Sequence, residues 1–282
     1  MSTRRRAALC VPGSEPAKID KALRLDVDEV VVDLEDAVSV DRKDDAREQV
    51  VRLGRRERGT LAVRVNGVGT EWFLADLAVC ARNGSVTSIV LPKVESGADL
   101  DLVERELARL EHAADRRTPL GVQALIESPA GVVNVHAIAG ASDRLTALII
   151  GYADLAASTG RRPRASWQFV QDAVLLAARV AGIQAIDGPH LGVDADQDFE
   201  LLLAHAEALG FDGKWVIHPR QVDATQAAFT PDRAETAEAA EILTAMDEAL
   251  SDGRGATQWR GRMLDEAVAQ NARRVLARGG IQ

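Results

Sequence analysis

The chain has almost no cysteine: two residues in 282, Cys10 and Cys80. That excludes a disulfide scaffold, and both lie in or beside apolar stretches, where a thiol behaves as a small buried hydrophobe. It also lacks any excess of positive charge. Against 43 Asp and Glu there are 34 Lys and Arg, a formal net charge of −9, and no basic stripe offsets it, which argues against a nucleic-acid surface. No apolar run approaches the length of a membrane span. The stretch Arg4-Arg5-Arg6-Ala7-Ala8-Leu9-Cys10-Val11 has a basic flank, but Pro12-Gly13 cuts it too short for a signal peptide. A cytoplasmic protein is expected, with no nucleic-acid or membrane partner. No glycine-rich dinucleotide fingerprint follows the first apolar run either.

Hydrophobic residues make up 46% and charged residues 27%, ordinary for a globular chain and sufficient at this length for a sizeable core in one or two domains. Short apolar runs predict strands at 7–11, 29–34, 61–65, 88–91, 121–126, 147–150, 183–186 and 214–217. Helical patterns lie between them at 16–24, 42–53, 99–113, 168–181 and 196–208. Alternating strands and helices imply a parallel sheet with right-handed crossovers. About eight such units in about 250 residues predict an α/β fold, a (β/α)8 TIM barrel, over residues 1–230, with a doubly wound open sheet as the alternative. After Pro231 the pattern changes to an Ala- and Glu-rich helix at 235–250, a loop at 252–255 and a last helix at 264–277. Residues 231–282 are surplus to a barrel. They are expected to form a C-terminal helical extension that packs on something, a neighbouring subunit being the candidate.

The densest signal is Val31-Val32-Asp33-Leu34-Glu35-Asp36-Ala37-Val38. A β-branched run that is oily on both faces belongs in a buried parallel sheet, yet this one ends in three carboxylates within four positions. Such neighbours repel by about 4 kcal/mol per pair at about 4 Å and an effective dielectric near 20, and a divalent cation or a cationic substrate relieves that repulsion. Barrel active sites sit at the C-terminal ends of the strands. Those ends read Pro12-Gly13-Ser14, Asp33-Leu34-Glu35-Asp36, Arg64-Val65-Asn66-Gly67, Pro92-Lys93, Glu127-Ser128-Pro129, Gly151-Tyr152-Ala153-Asp154, Asp187-Gly188 and His218-Pro219. Polar, charged and Gly/Pro-shaped residues converge at one end, which points to an enzyme.

Glu127 and Asp154 are the best metal pair. With no histidine or cysteine nearby in sequence the ligand set is all oxygen, which favours Mg²⁺, or Mn²⁺, over zinc. Alternatively, Asp154 caps a helix beginning at Leu155. Asp33, Glu35 and Asp36 would hold metal-bound waters or position a loop, Asp36 equally by bonding backbone amides. Arg64 would grip a substrate carboxylate bidentately, or pair with Asp33 or Glu35. A Schiff-base role for Lys93 needs a lowered pKa; the surrounding carboxylates favour its charged form, so an electrostatic or structural role is expected. His218 is a general-base candidate or a hydrogen-bonded scaffold residue. Lys18 and Lys21, on the helix after Ser14, would meet phosphates at the barrel mouth or stand as solvated helix lysines.

These pieces occur together as Val11-Pro12-Gly13-Ser14, Asp33-Leu34-Glu35-Asp36-Ala37-Val38, Arg64-Val65-Asn66-Gly67, Leu91-Pro92-Lys93, Ile126-Glu127-Ser128, Asp154-Leu155-Ala156, Ala185-Ile186-Asp187-Gly188-Pro189 and Gly210-Phe211-Asp212-Gly213-Lys214, leading to Ile217-His218-Pro219. In that order they resemble the HpcH/HpaI aldolase and citrate lyase family, especially citrate lyase beta-subunit-like proteins and acyl-CoA lyases. The resemblance implies a Mg²⁺-dependent carbon–carbon lyase on a (β/α)8 barrel, usually a homotrimer or a dimer of trimers. The family's metal carboxylates fall on Glu127 and Asp154, and its substrate-carboxylate arginine on Arg64. Its tail motif is similar to Gly261-Arg262-Met263-Leu264-Asp265-Glu266. The aspartate corresponding to Asp265 reaches a neighbouring subunit's active site in the acyl-CoA lyases, so Asp265 is an acid/base candidate acting in trans; otherwise it is an N-cap or surface residue.

Together with Asp265 and Arg64, Asp36 is a catalytic candidate. Gly188 and Pro189 are substrate-binding candidates beside Arg64 and Glu127, and Ser14, Lys18 and Lys21 are candidates for the thioester's phosphates. The chain departs from the family's pattern at Pro189-His190-Leu191, which bears on substrate shape. The basic segment 159–168, with Arg161, Arg162 and Arg164, is a further candidate for phosphates. The expected reaction is reversible Claisen-type cleavage of a malyl-, citramalyl- or citryl-CoA-like 3-hydroxyacyl thioester into a 2-oxo acid and an acyl-CoA. The alternatives are a citrate lyase beta subunit acting on citryl-acyl-carrier protein within a complex, a class II aldolase acting on free 2-oxo acids, and a non-catalytic barrel.

Overall fold

Residues 4–162 and 165–280 are described by a computed structural model. Eight parallel strands close a barrel in sequence order: β1 (Ala7–Pro12), β2 (Glu29–Asp33), β3 (Thr60–Arg64), β4 (Ser88–Leu91), β5 (Gly121–Ile126), β6 (Leu145–Ile150), β7 (Gln184–Asp187) and β8 (Gly213–Val216). The (β/α)8 barrel expected from the alternation is the fold, and the open sheet is excluded by the pairing of β8 with β1.

The apolar runs form strands because both faces are covered. Val30, Val31 and Val32 of β2 are all fully buried, as a parallel sheet between a packed interior and a shell of helices requires. One core cluster takes residues from every strand: Ala8, Val31, Ala62, Val90, Leu125, Ala147, Ile149, Ile186 and Trp215. Contacts drawn from all eight strands place that cluster inside the barrel. Cys10 and Cys80 are free thiols, and burial pushes both thiol pKa values up, which fits their reading as small hydrophobes.

The predicted helices are found as Pro16–Leu23, Lys43–Arg52, Gly97–Ala113, Gln168–Ala181 and Gln197–Leu209. Ser96 opens the third through a capping box with Asp99, and Asp196 opens the last by accepting from Phe199 N at 3.0 Å. A helix at Phe73–Arg82, which was not expected, carries β3 to β4, and a short one, Tyr152–Thr159, follows β6, beginning three residues before the Leu155 start offered for it. Among the described residues no helix is long and apolar enough to cross a membrane.

The chain divides into two compact units between Gln226 and Ala227. In the second, the helices Arg233–Ser251 and Glu266–Gly279 pack on each other around Ala239, Ile242, Met246, Leu264, Ala269 and Ala272. The last helix starts at Glu266 rather than Leu264. Leu264 belongs to an antiparallel hairpin, Thr257–Trp259 with Arg262–Leu264, whose turn residues Arg260 and Gly261 both have positive φ (46° and 77°), as a tight two-residue hairpin turn requires.

Candidate active site

The site begins with the register of two strands. Asp33, the last residue of β2, lies opposite Arg64, the last of β3. Arg64 Nε donates to Asp33 Oδ1 at 2.7 Å and Nη2 to Oδ2 at 2.5 Å. The same carboxylate accepts the backbone N–H groups of Glu35 (2.8 Å) and Ala37 (3.1 Å). Asp33 is therefore a bracket: fully buried, it turns the chain at the strand end so that Glu35 and Asp36 emerge. The amide-bonding role offered as one reading of Asp36 is filled by Asp33. Gly13 is needed alongside, because its N–H donates to Asp33 O at 2.8 Å and a Cβ there would lie 2.6 Å from that oxygen. Burial works against the Arg64 charge, but Asp33 and Glu35 outweigh it and hold the guanidinium pKa well above its usual value.

A buried lysine clamps this turn from below. Lys43 Nζ donates to Leu34 O (2.7 Å), Glu35 O (2.8 Å) and Asn66 Oδ1 (2.7 Å), and sits 5.3 Å from the centre of the Trp72 ring. Asn66 Nδ2 in turn donates to Leu34 O at 2.9 Å and to the fully buried Asp76 at 2.6 Å. Lys43 and Asp76 were missed by the sequence reading. Lys43 is one of five consecutive charges, Asp41-Arg42-Lys43-Asp44-Asp45, and Asp76 is a lone acid in an apolar stretch; no spacing in the chain marks either as inward-facing.

Glu127, just past β5, is 3% exposed. Its Oε1 accepts the Lys93 N–H at 2.8 Å, and among the described residues it has no other hydrogen-bond donor. Burial first, then the charges of Glu35 and Asp154, push its carboxyl up to about 7. Asp154 is half-buried in the first turn of the helix Tyr152–Thr159, whose N-cap position is Gly151. It is not the cap of that helix, contrary to the alternative offered for it. Glu35, 5% exposed, accepts Lys93 Nζ on Oε1 at 2.6 Å. Its Oε2 lies 3.0 Å from Arg64 Nη1 but off line for a hydrogen bond, so that buried oxygen has no donor. Lys93 does not suit Schiff-base chemistry: although burial lowers its pKa, the hydrogen bond and charge of Glu35, with Asp36 and Glu127, raise it overall and keep the amine protonated.

Two under-satisfied carboxylates beside a third acid form an all-oxygen donor set that fits Mg²⁺. Among the described residues no three Asp, Glu, His or Cys side chains form a cluster of metal-binding type. The protein would thus supply two carboxylates, with water and substrate completing the shell, as Mg²⁺ commonly takes them. A cavity of about 780 Å³ opens alongside, lined by Glu35, Asp36, Lys43, Asn66, Trp72 and Lys93 among others, a size suited to a small-molecule ligand. Asp36 stands exposed on its wall, 3.8 Å from Lys93 Nζ.

The far side of the mouth is braced separately. Buried Lys214 donates to Asp187 and, at 2.7 Å, to Gly188 O. Tyr152 donates to Asp187 Oδ1 at 2.5 Å; burial, then Asp187, raises its phenol pKa. Gly188 must lack a side chain, since a Cβ would lie 2.6 Å from the Tyr152 ring; Pro189 follows it, half-buried. His218 Nδ1 accepts Arg220 N at 3.3 Å, the scaffold role. Ser14 is buried, its carbonyl accepting from Arg42 Nη2 at 2.9 Å. Lys18 and Lys21 are exposed on the first helix and make no ion pair among the described residues. Arg161 stacks on Trp167, 4.6 Å to the ring centre, Arg162 is exposed, and Arg164 lies outside the described residues. Asp265, in the second unit, is the N-cap of the last helix, accepting from Ala267 N (3.0 Å) and Val268 N (3.2 Å).

The chain is similar to known proteins. The family model for HpcH/HpaI aldolase/citrate lyase matches residues 6–219. The chain is 35% identical over 292 residues to the L-malyl-CoA/beta-methylmalyl-CoA lyase of Rhodobacter capsulatus, covering 95% of this chain and 92% of that protein. It is also 35% identical over 285 residues to the citrate lyase subunit beta of Escherichia coli, covering 98% and 94%. The crystal structure of protein CitE from Mycobacterium tuberculosis, in complex with magnesium, acetoacetate and coenzyme A, is similar with a TM-score of 0.77 and 30% identity over 99% of this chain and 100% of that one.

Proposed function

The chain belongs to the HpcH/HpaI aldolase/citrate lyase family and is a carbon–carbon lyase, and on that premise we propose that it cleaves, and in reverse forms, a 3-hydroxyacyl-CoA thioester whose C3 also bears a carboxylate, with Mg²⁺ as cofactor. The observation that carries this reading is Glu127: a buried carboxyl raised to about 7 with one hydrogen-bond donor beside a second acid, Asp154. Similarity to proteins named as malyl-CoA lyase, and to one crystallised with magnesium and coenzyme A, supports it.

Glu127 and Asp154 would hold the ion. Bound there, Mg²⁺ supplies Lewis-acid polarisation of the hydroxyl and carboxylate oxygens on C3. Asp33 takes the Nε/Nη2 edge of Arg64 and Glu35 Oε2 lies 3.0 Å from Nη1, so a substrate carboxylate would meet the guanidinium beside Glu35, through the N–H groups these two acids leave over. In cleavage the C3 hydroxyl loses its proton and C3 becomes the carbonyl of a 2-oxo acid. The C2–C3 electron pair passes to the thioester fragment as an enolate, which takes a proton at C2 and leaves as acyl-CoA. Asp265 of a neighbouring copy would deliver that proton, which calls for an oligomer, the homotrimer or dimer of trimers being the form the resemblance implies. Gly188 and Pro189 would shape the substrate side, Asp36 would face the bound thioester, and Ser14, Lys18 and Lys21 would lie toward its phosphates.

The equal identity to a citrate lyase beta subunit favours one second reading, the same cleavage on a carrier-protein-bound citryl group. Malyl-, citramalyl- and citryl-CoA, each with Mg²⁺ or with EDTA, are to be incubated with purified protein and the products read by mass spectrometry. Magnesium-dependent release of a 2-oxo acid and acetyl-CoA is expected. No turnover of any of the three, with turnover of a citryl carrier protein, would transfer the reaction to the carrier-bound substrate.

A further inference from the structure

Lys93 touches two of the site's acids from a single residue. Its φ is 54°, in the left-handed region that side chains with a Cβ seldom occupy and that persists where the surroundings impose it. That conformation turns its N–H toward β5, where Glu127 Oε1 accepts at 2.8 Å. The next residue anchors the segment to the same strand, Val94 N donating to Leu125 O at 3.3 Å. The side chain runs the other way, to the end of β2, where Nζ stands 2.6 Å from Glu35 Oε1. The main chain thus aims Glu127 and the ammonium holds Glu35. Nearly half of the side chain, 48%, remains exposed, so the ammonium is not part of the packed core.

We propose that Lys93 is a positioning residue whose ammonium, held on Glu35 beside the metal-binding pair, also serves as a fixed counter-cation within the site's negative field, and that it sets how tightly the site binds a divalent ion. The inference rests on the reading of Glu127 and Asp154 as metal ligands. Its consequence has a sign. A lysine that only propped up the loop would, on losing its charge, leave a looser site and weaker metal binding. A fixed cation competes with the incoming ion for the same negative field, so removing it strengthens metal binding. Glu35, released from its partner, no longer keeps its place, and turnover falls even as the metal binds better.

The test is Mn²⁺ binding to the full chain without substrate, followed by electron paramagnetic resonance, together with kcat and KM. Lys93→Met keeps the stem and the N–H and loses the ammonium; it is expected to bind Mn²⁺ about tenfold more tightly with kcat reduced. Lys93→Arg, which restores a cation, is expected to return the affinity to the wild-type value. Lys93→Gly is at ease at this φ, and carries the same comparison if the Met variant fails to fold by its thermal melt. Unchanged or weaker Mn²⁺ binding in the folded Met or Gly variant overturns the proposal. Wild-type Mn²⁺ binding that Glu127→Gln leaves intact would instead overturn the metal reading beneath it.

Discussion

Gly151 lies against Glu127 so closely that a Cβ at position 151 would collide with both the Cβ and Oε2 of the glutamate. The end of β6 is thus the wall that holds the carboxylate at the end of β5, and the absent side chain is part of the site. Gly151→Ala is expected to destabilise the fold by about 1–3 kcal/mol through overpacking and to lower magnesium-dependent turnover by about 100-fold through displacement of Glu127. Chemical denaturation and kcat check this; full turnover in a variant with unchanged stability would show that Glu127 has room to move.

The raised carboxyl of Glu127 predicts a pH effect in the metal-free protein. In the folded state it keeps its proton up to about 7, whereas in the unfolded chain it ionises near its usual value of 4.5. Between those values the native state binds more protons, so stability falls as pH rises, by about 3 kcal/mol in all. Glu127→Gln has no proton to lose. In EDTA it is expected to match the wild type near about pH 4 and to exceed it near about pH 8; parallel stability profiles would reject the raised pKa.

Asp265 offers a separation of cap from charge. Its carboxylate accepts Ala267 N and Val268 N, a role asparagine fills as well as aspartate, whereas alanine costs about 1 kcal/mol. Asp265→Asn is therefore expected to keep the melting temperature and lose catalysis with substrate binding largely retained; Asp265→Ala is expected to lose both stability and catalysis. Normal turnover in the Asn variant would leave Asp265 a cap and nothing more.

The barrel was legible in the chain because its signals are local. β2 announces itself as Val30-Val31-Val32 with a burst of acids behind it, and seven helices and eight strands lie within a few residues of where periodicity puts them. The errors are local as well. Phe73–Arg82 was overlooked because Phe73, Leu74, Leu77, Ala78 and Val79 make a pattern too apolar to show a face. The hairpin before the last helix was overlooked because its strands are three residues each and Leu264 reads equally well as a first helical turn.

The chemistry was legible only as a list of residues at strand ends. Glu127, Asp154, Arg64 and Lys93 stood out because charge directly after an apolar run is conspicuous in one dimension. Their partners were not. Whether Arg64 faces Asp33 or a substrate depends on the pairing of β2 with β3, and Lys93 meets Glu35 across 58 positions of sequence.

The sequence by itself determined where the strands lie and at which end the acids collect, since both follow from which neighbouring residues must leave water. Only the tertiary structure decided what each acid does. Asp33, Glu35 and Asp36 are near-equivalent in the chain, yet one is a bracket saturated with donors, one is buried with an oxygen left over, and one stands at the wall of a cavity. Closing the barrel sets these differences, because strand register chooses the hydrogen-bond partners and burial sets the energy of leaving a charge without one.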